Sequence, residues 1–178
     1  NLCNENRRHQ ARQPLLRPHL RRRSADLTRT AKTARDRLLR KIAAREQELL
    51  ETEKREEYRR RGDLITANMY RLKRGMRSFE AQDYYEPDCP VVKIALDPLK
   101  TPQQNAAALY KEYNKLKAAE QHLTVLVDEG EKQLDYLNSV LDELERAESE
   151  HDISDIRREL IATGYIRKAK GGKPERVK

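Results

Sequence analysis

Apolar residues recur in a strict 4-3 rhythm through the second half of the chain, from position 109 to position 148. The apolar members of this series are Leu109, Tyr113, Leu116, Leu123, Val127, Leu134, Leu137, Leu141 and Leu144. A period of 3.5 residues sustained this long is typical of a coiled-coil seam. Thr101 as a cap and Pro102 as the first helical residue predict where the helix begins. We therefore expect a second arm helix within 102–150, about 70 Å long at 1.5 Å per residue.

A helix of that length needs a partner, and the first half of the chain supplies a candidate within 22–61. Its stripe is looser, with Ser24 as the predicted cap and Arg45 as an interruption. The apolar members of the stripe are Leu27, Ala31, Ala34, Leu38, Ile42 and Leu49. About forty residues separate the two helices, so the chain can turn and return antiparallel. Homodimerisation through either seam is the alternative.

The segment 62–101 between the helices differs in composition and is predicted to form a tip module. Its residues 63–72 favour a short helix that Gly75 ends. Two strands, over 78–85 and 91–96, are predicted around a turn at 86–90. A lone hairpin is only marginally stable, so we expect it to pack on the short helix.

The two ends of the chain are simpler. A short amphipathic helix is predicted within 151–166, closed by Gly164, and a basic linker or tail over 167–178. Residues 1–21 carry no clear pattern. The predicted fold class is thus mainly α: a long antiparallel two-helix coiled-coil hairpin with a small α+β tip module and a short C-terminal helix.

The charge is strongly basic. The chain has 38 Lys and Arg residues against 30 Asp and Glu, a net charge of +8. Nucleic acid and anionic membranes are the usual partners of such a protein, and a merely solvated helix surface is the alternative. No stretch is apolar enough to span a membrane, no signal peptide is visible, and Cys3 and Cys89 match no disulfide or zinc framework. We expect a soluble, cytoplasmic piece of a longer protein that does not bind membranes.

No catalytic constellation is visible. The four histidines, His9, His19, His122 and His151, are dispersed, and there is no glycine-rich phosphate loop, metalloprotease motif or cysteine pair. The prediction is a protein that is not an enzyme and needs no metal or cofactor.

Several separated motifs in order resemble one family. They lie at Gly62-Asp63-Leu64-Ile65-Thr66-Ala67-Asn68-Met69-Tyr70, Leu96-Asp97-Pro98, Thr101-Pro102-Gln103-Gln104-Asn105-Ala106, Tyr113-Asn114-Lys115-Leu116-Lys117-Ala118, Tyr136-Leu137-Asn138-Ser139-Val140-Leu141 and 156–165. The chain resembles, over about 22–166, the coiled-coil and middle region of NFACT-type ribosome quality-control factors, bacterial branch, also labelled fibronectin-binding proteins.

The resemblance implies a protein that recognises large ribosomal subunits holding a stalled nascent chain, engages alanyl-tRNA and supports C-terminal alanine tailing. The domains that read tRNA and support tailing have no counterpart here, so this chain is expected to position and anchor. Its implied partners are ribosomal RNA and a stalk-base protein of the large subunit. A surface adhesin that binds fibronectin and a plain structural or dimerisation coiled coil are the rival interpretations.

Three groups of residues are candidates for that role. Phosphate neutralisation is expected from Arg71, Lys73, Arg74, Arg77, Lys111, Lys115 and Lys117. Stacking on unpaired bases, or alternatively packing of the tip core, is expected from Tyr70, Tyr84 and Tyr85. Fixing of caps and turns where arm and tip meet is expected from Asp63, Asn68 and Asn105.

Overall fold

The computed structural model describes residues 17–167. The chain is mainly α-helical, with one small antiparallel sheet and a short C-terminal helix, as the sequence predicts. The elements in chain order are α1 (Pro18–Glu51), a 3₁₀ turn (Thr52–Lys54), α2 (Arg55–Ala67), a 3₁₀ turn (Met69–Arg71), β1 (Ser78–Gln82), β2 (Val91–Ala95), α3 (Pro102–Arg146) and α4 (Glu150–Ala162). The predictions for residues 1–16 and for the tail at 168–178 lie outside the described residues.

The predicted cap at Ser24 is wrong, because α1 already begins at Pro18 and Ser24 lies inside it. Proline is favoured at the first helical position, where its fixed φ suits the helix and its missing N–H has no intrahelical partner to lose. The first arm also consists of two helices rather than one. A 3₁₀ turn separates them, and in it the buried Thr52 donates its hydroxyl to the Leu49 carbonyl at 2.6 Å.

The predicted separate helix over 63–72 is wrong as well. Residues 63–67 form the last part of α2, and only Met69–Arg71 adds a 3₁₀ turn. Gly62 does not break the helix, because its role is steric. A Cβ at this position would lie 3.0 Å from two carbons of the Tyr110 ring, so glycine lets α2 and α3 approach closely.

The predicted hairpin is confirmed. β1 pairs antiparallel with β2, with Phe79 opposite Ile94 in the register. Alternate side chains point to opposite faces of a sheet, and the buried face carries Phe79, Ala81 and Ile94. This face packs with Leu64 and Ile65 of α2 in one apolar cluster. The hairpin is therefore held by the helix beside it, as its small size requires.

The predicted start of α3 is confirmed by a reciprocal cap. The Thr101 hydroxyl accepts the Gln104 N–H at 3.2 Å, and the Gln104 side-chain oxygen accepts the Thr101 N–H at 2.9 Å. Ser149 and Asp152 form the same kind of box at the start of α4. Gly164, with φ of +83°, follows the end of α4, where a left-handed residue closes a helix.

The chain divides into two compact units, and α1 and α3 contribute to both. The described part of the first unit is 17–41 and 130–167. Its core joins α1, α3 and α4 through Leu20, Leu27, Ala31, Val140, Leu144, Ile153, Ile156 and Leu160.

The second unit is 42–129, and here the helices run antiparallel. The Arg45 guanidinium donates to the Leu126 carbonyl at 3.0 Å, and Arg55 pairs with Glu120 at 2.7 Å. As the residue number rises from Arg45 to Arg55 along α1 and α2, the number of the contacted residue on α3 falls from Leu126 to Glu120, which is the antiparallel arrangement. Arg45, which interrupts the apolar stripe in the sequence, serves here as a hydrogen-bond donor between the helices.

Candidate functional site

Three cations project from the loop at residues 72–77, which we call the basic loop. The side chains of Lys73, Arg74 and Arg77 are exposed, and none has a hydrogen-bond or ion-pair partner among residues 17–167. Gly75 makes the loop possible, because its φ of +95° is a conformation that other residues rarely adopt. The Gly75 N–H then bonds to the Pro98 carbonyl at 3.2 Å. The loop is anchored while its three charges stay available to a partner.

Arg71 differs from these three, because its donors are engaged within the tip. Its guanidinium donates to the Glu80 carbonyl and, at 3.0 Å, to the Asn68 side-chain oxygen. It also lies 5.5 Å from the centroid of the Phe79 ring, within range of a cation–π contact. Arg71 is thus a support for β1 as well as a cation at the surface.

Exposed tyrosines flank an open groove of about 610 Å³ beside the hairpin. Tyr70 is 85% exposed and Tyr84 is 53% exposed, and both line this groove with Arg71. The Tyr84 and Tyr85 rings stack with centroids 4.8 Å apart. Two aromatic faces, those of Tyr70 and Tyr84, are therefore accessible to a planar group from solvent.

Tyr85 is built into the tip by Asp63. This carboxylate accepts the Tyr85 hydroxyl and, at 2.5 Å, the Tyr110 hydroxyl, so it joins α2, the hairpin loop and α3. The hydrogen bond to Asp63 is the main reason that the pKa of Tyr85 lies above its usual value. Burial, followed by the bond to Asp63, raises the pKa of Tyr110. Both shifts favour the neutral phenols that can donate to the carboxylate.

Replacing Asp63 with asparagine should lower the pH at which these phenols ionise. Both pKa values are raised above 10.0, so in alkali the unfolded chain loses these protons first. The tyrosines therefore stabilise the fold fully below about pH 10, and this contribution is lost as the pH rises further. Asp63→Asn removes the charge that holds the protons. Ultraviolet titration of tyrosinate should show ionisation at lower pH.

The matched control is Asp88→Asn, which removes a carboxylate from the exposed hairpin loop. Its titration curve should follow that of the unmodified chain. An unchanged curve for Asp63→Asn, or an equal shift for both variants, would contradict the role of the Asp63 hydrogen bonds.

Two asparagines hold the main chain at the edges of the tip. Asn68 donates to the Leu64 carbonyl at 2.7 Å, at the end of α2. The Asn105 amide oxygen accepts the Asp97 N–H at 2.8 Å, and its NH₂ group donates to the carbonyls of Asp97 and Thr101 at 3.1 Å. These bonds connect the segment after β2 to the first turn of α3.

The remaining candidate cations lie on α3. Lys111 is exposed, Lys115 lies 4.0 Å from Glu112, and the Lys117 ammonium lies 5.9 Å from the centroid of the Tyr113 ring. The structure thus brings Lys73, Arg74 and Arg77 together in one loop and places the three lysines on a separate element.

Sequence reasoning missed the role of Arg60, which lies inside a basic run. Its guanidinium pairs with Asp83 at 2.7 Å and Glu86 at 2.8 Å and lies 5.4 Å from the centroid of the Tyr85 ring. The sequence offered one indication, which is that Asp83 is suited to a turn and its carboxylate accepts the Tyr85 N–H two residues later. The same carboxylate is the one that pairs with Arg60. Arg60 is therefore a brace for the hairpin loop and not a free charge.

Within 17–167, no three metal-ligating side chains cluster, and no helix there is long and apolar enough to cross a membrane. The second unit is a mainly helical unit with a β-hairpin that exposes basic and aromatic side chains, which is typical of a binding module. Residues 12–178 match the family model for NFACT N-terminal and middle domains. The chain belongs to the NFACT family, which confirms the resemblance read from the motifs.

Curated relatives and a solved structure agree with this assignment. The chain is 32% identical over 151 residues to the Rqc2 homolog RqcH of Bacillus subtilis strain 168, covering 85% of this chain and 26% of that protein. It is 39% identical over 142 residues to the Rqc2 homolog RqcH of Streptococcus suis strain 05ZYH33, covering 76% and 25%. The chain therefore spans about a quarter of these relatives.

Among solved structures, the chain is similar to the C-terminal part of the fibronectin/fibrinogen-binding protein from Streptococcus suis. The TM-score is 0.54 at 26% sequence identity, and the match covers 90% of this chain and 50% of that one.

Proposed function

We propose that this chain is the ribosome-contacting arm of an NFACT-type quality-control factor. The observation that carries the proposal is the basic loop, in which Lys73, Arg74 and Arg77 are exposed and unpaired among the described residues. Family membership and the similarity to Rqc2 homologs support it. The arm binds large ribosomal subunits that still hold a stalled nascent chain, in the cytoplasm. It acts by binding and performs no catalysis of its own.

Phosphate contacts supply the affinity in this proposal. Each cation that neutralises a phosphate releases condensed counterions, so the affinity falls with increasing salt. Phosphate contacts orient a protein on RNA without reading sequence, as suits an anchoring role. Tyr70 and Tyr84 add stacking on unpaired bases of ribosomal RNA. A stalk-base protein is the second component of the contact, and engagement of alanyl-tRNA and alanine tailing fall to other parts of the longer protein.

The test replaces Lys73, Arg74 and Arg77 together by alanine. The fold should persist, because none of the three side chains holds another residue in place. Sedimentation with purified large ribosomal subunits at a series of salt concentrations measures the effect. We expect weaker binding and a slope of log affinity against log salt that is smaller by about 2 to 3, given roughly 0.7 to 0.9 per phosphate.

The matched control is the triple variant Arg146→Ala, Arg157→Ala and Arg158→Ala, which removes equal charge from exposed positions outside the tip. It should bind subunits like the unmodified chain. Equal binding by both triple variants would overturn the assignment of the basic loop.

Binding of fibronectin or fibrinogen is a second candidate, favoured by the similarity to the fibronectin/fibrinogen-binding protein from Streptococcus suis. Immobilised fibronectin distinguishes the two functions. Binding to fibronectin at physiological salt, without co-sedimentation with ribosomal subunits, would favour the adhesin. A plain dimerisation coiled coil predicts neither interaction and a mass of two chains in sedimentation equilibrium.

A further inference from the structure

The part of α1 that belongs to the first unit, together with the residue before it, is far more basic than the tip. Residues 17–41 contain ten lysines and arginines and two aspartates. Surface helices ordinarily mix the two signs, because pairs three or four residues apart then stabilise the helix. Here the first turn of α1 contains no acidic residue, and Arg21 and Arg22 follow it directly. Cations are unfavourable near a helix N-terminus, so this charge does not serve the stability of α1.

Few of these charges are neutralised within the protein. Arg23 pairs with Glu150, Arg29 with Asp26 and Arg35 with Asp36, at 3.1 to 3.3 Å. Five exposed cations of this part of α1 have no ion-pair or hydrogen-bond partner in the described part of the chain, and we call them the basic face of α1: Arg21, Arg22, Lys32, Arg37 and Lys41.

The five cations of the basic face are all exposed. At 3.6 residues per turn, Arg22 and Lys32 lie on the side of α1 opposite the buried Leu27 and Ala31. Arg21 and Arg37 lie on the two flanks of that side, and Lys41 lies nearer the buried stripe. From Arg21 to Lys41 the face extends about 30 Å along the helix axis. It is therefore a row of exposed cations on one helix, and the two aspartates on the same side, Asp26 and Asp36, are held in ion pairs with Arg29 and Arg35.

The chemistry of the face distinguishes between polyanions. A helix that binds a membrane surface needs apolar side chains beside its cations to enter the lipid. In α1 the stripe of Leu20, Leu27 and Ala31 is buried in the core of the first unit, so it is not free to insert. Leu39, 43% exposed, is a single aliphatic side chain beside the cations and does not form an apolar face. The face also contains no aromatic residue that would stack on unpaired bases. The regularly spaced phosphates of a duplex fit a surface that has cations but no free apolar stripe and no aromatic ring.

We propose that the basic face of α1 binds the phosphate backbone of double-helical RNA, as a contact separate from the basic loop of the tip. The proposal goes beyond the role given to the tip and is carried by residues of the first unit alone. Binding there is independent of sequence, because guanidinium and ammonium groups meet phosphates and not base edges.

The test measures binding of the 178-residue chain to a fluorescent RNA hairpin with a long duplex stem, by anisotropy over a series of salt concentrations. The variant carries Arg21→Gln, Arg22→Gln, Lys32→Gln and Arg37→Gln, which remove charge and keep long side chains suited to a helix. The control carries Lys54→Gln, Arg146→Gln, Arg157→Gln and Arg158→Gln, an equal loss of charge elsewhere. Circular dichroism checks that both variants remain helical.

We expect the face variant to bind the stem at least about tenfold more weakly at low salt, with the salt slope reduced by roughly 3. The control should lose less than half of either effect. Equal losses in both variants would overturn the proposal, since net charge alone would then explain them. Tighter binding to anionic phospholipid vesicles than to the stem, lost in the face variant, would overturn it in favour of a membrane surface.

The tip triple variant separates this proposal from the proposed function. It should lose much less affinity for the stem than the face variant does, because the basic face of α1 is intact in it. Loss of stem binding in the tip variant and not in the face variant would assign duplex binding to the basic loop and would overturn the proposal. If the unmodified chain did not bind ribosomal subunits but did bind the stem, only the proposed function would be overturned.

Discussion

Replacing Ile65 by alanine should destabilise the tip by about 3 kcal/mol, within the range found for buried Ile-to-Ala changes. Ile65 is fully buried and packs in the cluster that joins α2 to the hairpin and the start of α3. Alanine removes apolar atoms and leaves a cavity that the helix and sheet around it fill only partly. Chemical denaturation gives the change in unfolding free energy. Hydrogen exchange of the amides at 62–101 should show the loss of protection there.

Leu50→Ala is the matched control, because Leu50 is an aliphatic residue of the same unit that is 58% exposed. Its effect should stay within about 0.5 kcal/mol. If the two substitutions were equally mild, the cluster around Ile65 would not be the element that holds the hairpin.

Asn105→Ala should destabilise the same unit by roughly 2 kcal/mol, because it removes three hydrogen bonds of a buried side chain and leaves the Asp97 N–H without its partner. The Asn105 side chain accepts from the Asp97 N–H and donates to the carbonyls of Asp97 and Thr101, each of which also accepts a backbone N–H. A buried group without a partner costs roughly 1 to 3 kcal/mol. Thermal unfolding and hydrogen exchange at 96–105 measure the effect.

Two further variants sharpen this prediction. Asn114→Ala removes an exposed amide from the same helix and should be nearly neutral. Asn105→Asp keeps an acceptor for the Asp97 N–H but faces two carbonyls with an anion, so it should be about as damaging as alanine. If Asn105→Asp left the stability unchanged, the hydrogen bonds that the Asn105 NH₂ group donates would contribute little to it.

The parts of the fold that the sequence predicted well are those governed by local rules. α3 begins at Pro102 because Thr101 and Gln104 cap each other, and both partners lie within four residues. α4 is bounded by the Ser149 cap and by Gly164 for the same reason. The segments 78–85 and 91–96, on either side of a turn at 86–90, predicted the two strands, and the structure pairs them, with β1 ending earlier, at Gln82.

The errors arose where two local rules competed, or where a residue far away in the sequence determined the local structure. Ser24 has a side chain suited to a cap, but Pro18 offers an earlier start to α1. The separate helix predicted over 63–72 is instead the end of α2, which continues through Gly62, and this glycine allows close contact with Tyr110 on another helix. No pattern within ten residues of Gly62 contains that information.

The same distinction applies to the candidate site. The motif that carries the family resemblance, at 62–70, supplies mainly scaffold: Gly62 for close packing, Asp63 for two tyrosine bonds and Leu64 for the core. The free cations of the basic loop lie after this motif. Charge alone did not distinguish them from Arg60 and Arg71, because the acceptors of those arginines, Asp83 and the Glu80 carbonyl, are brought near by the hairpin.

The 3₁₀ turn at Thr52–Lys54 makes the two sides of the second unit unequal in their tolerance of length changes. α3 has no such turn, so a residue inserted into it would rotate every later side chain by about 100° and move the seam off its partner. The turn already departs from α-helical geometry, and an extra residue there can be absorbed by local winding before α2 resumes. Sequences that diverge from this one should therefore vary in length near Thr52 and not within α3.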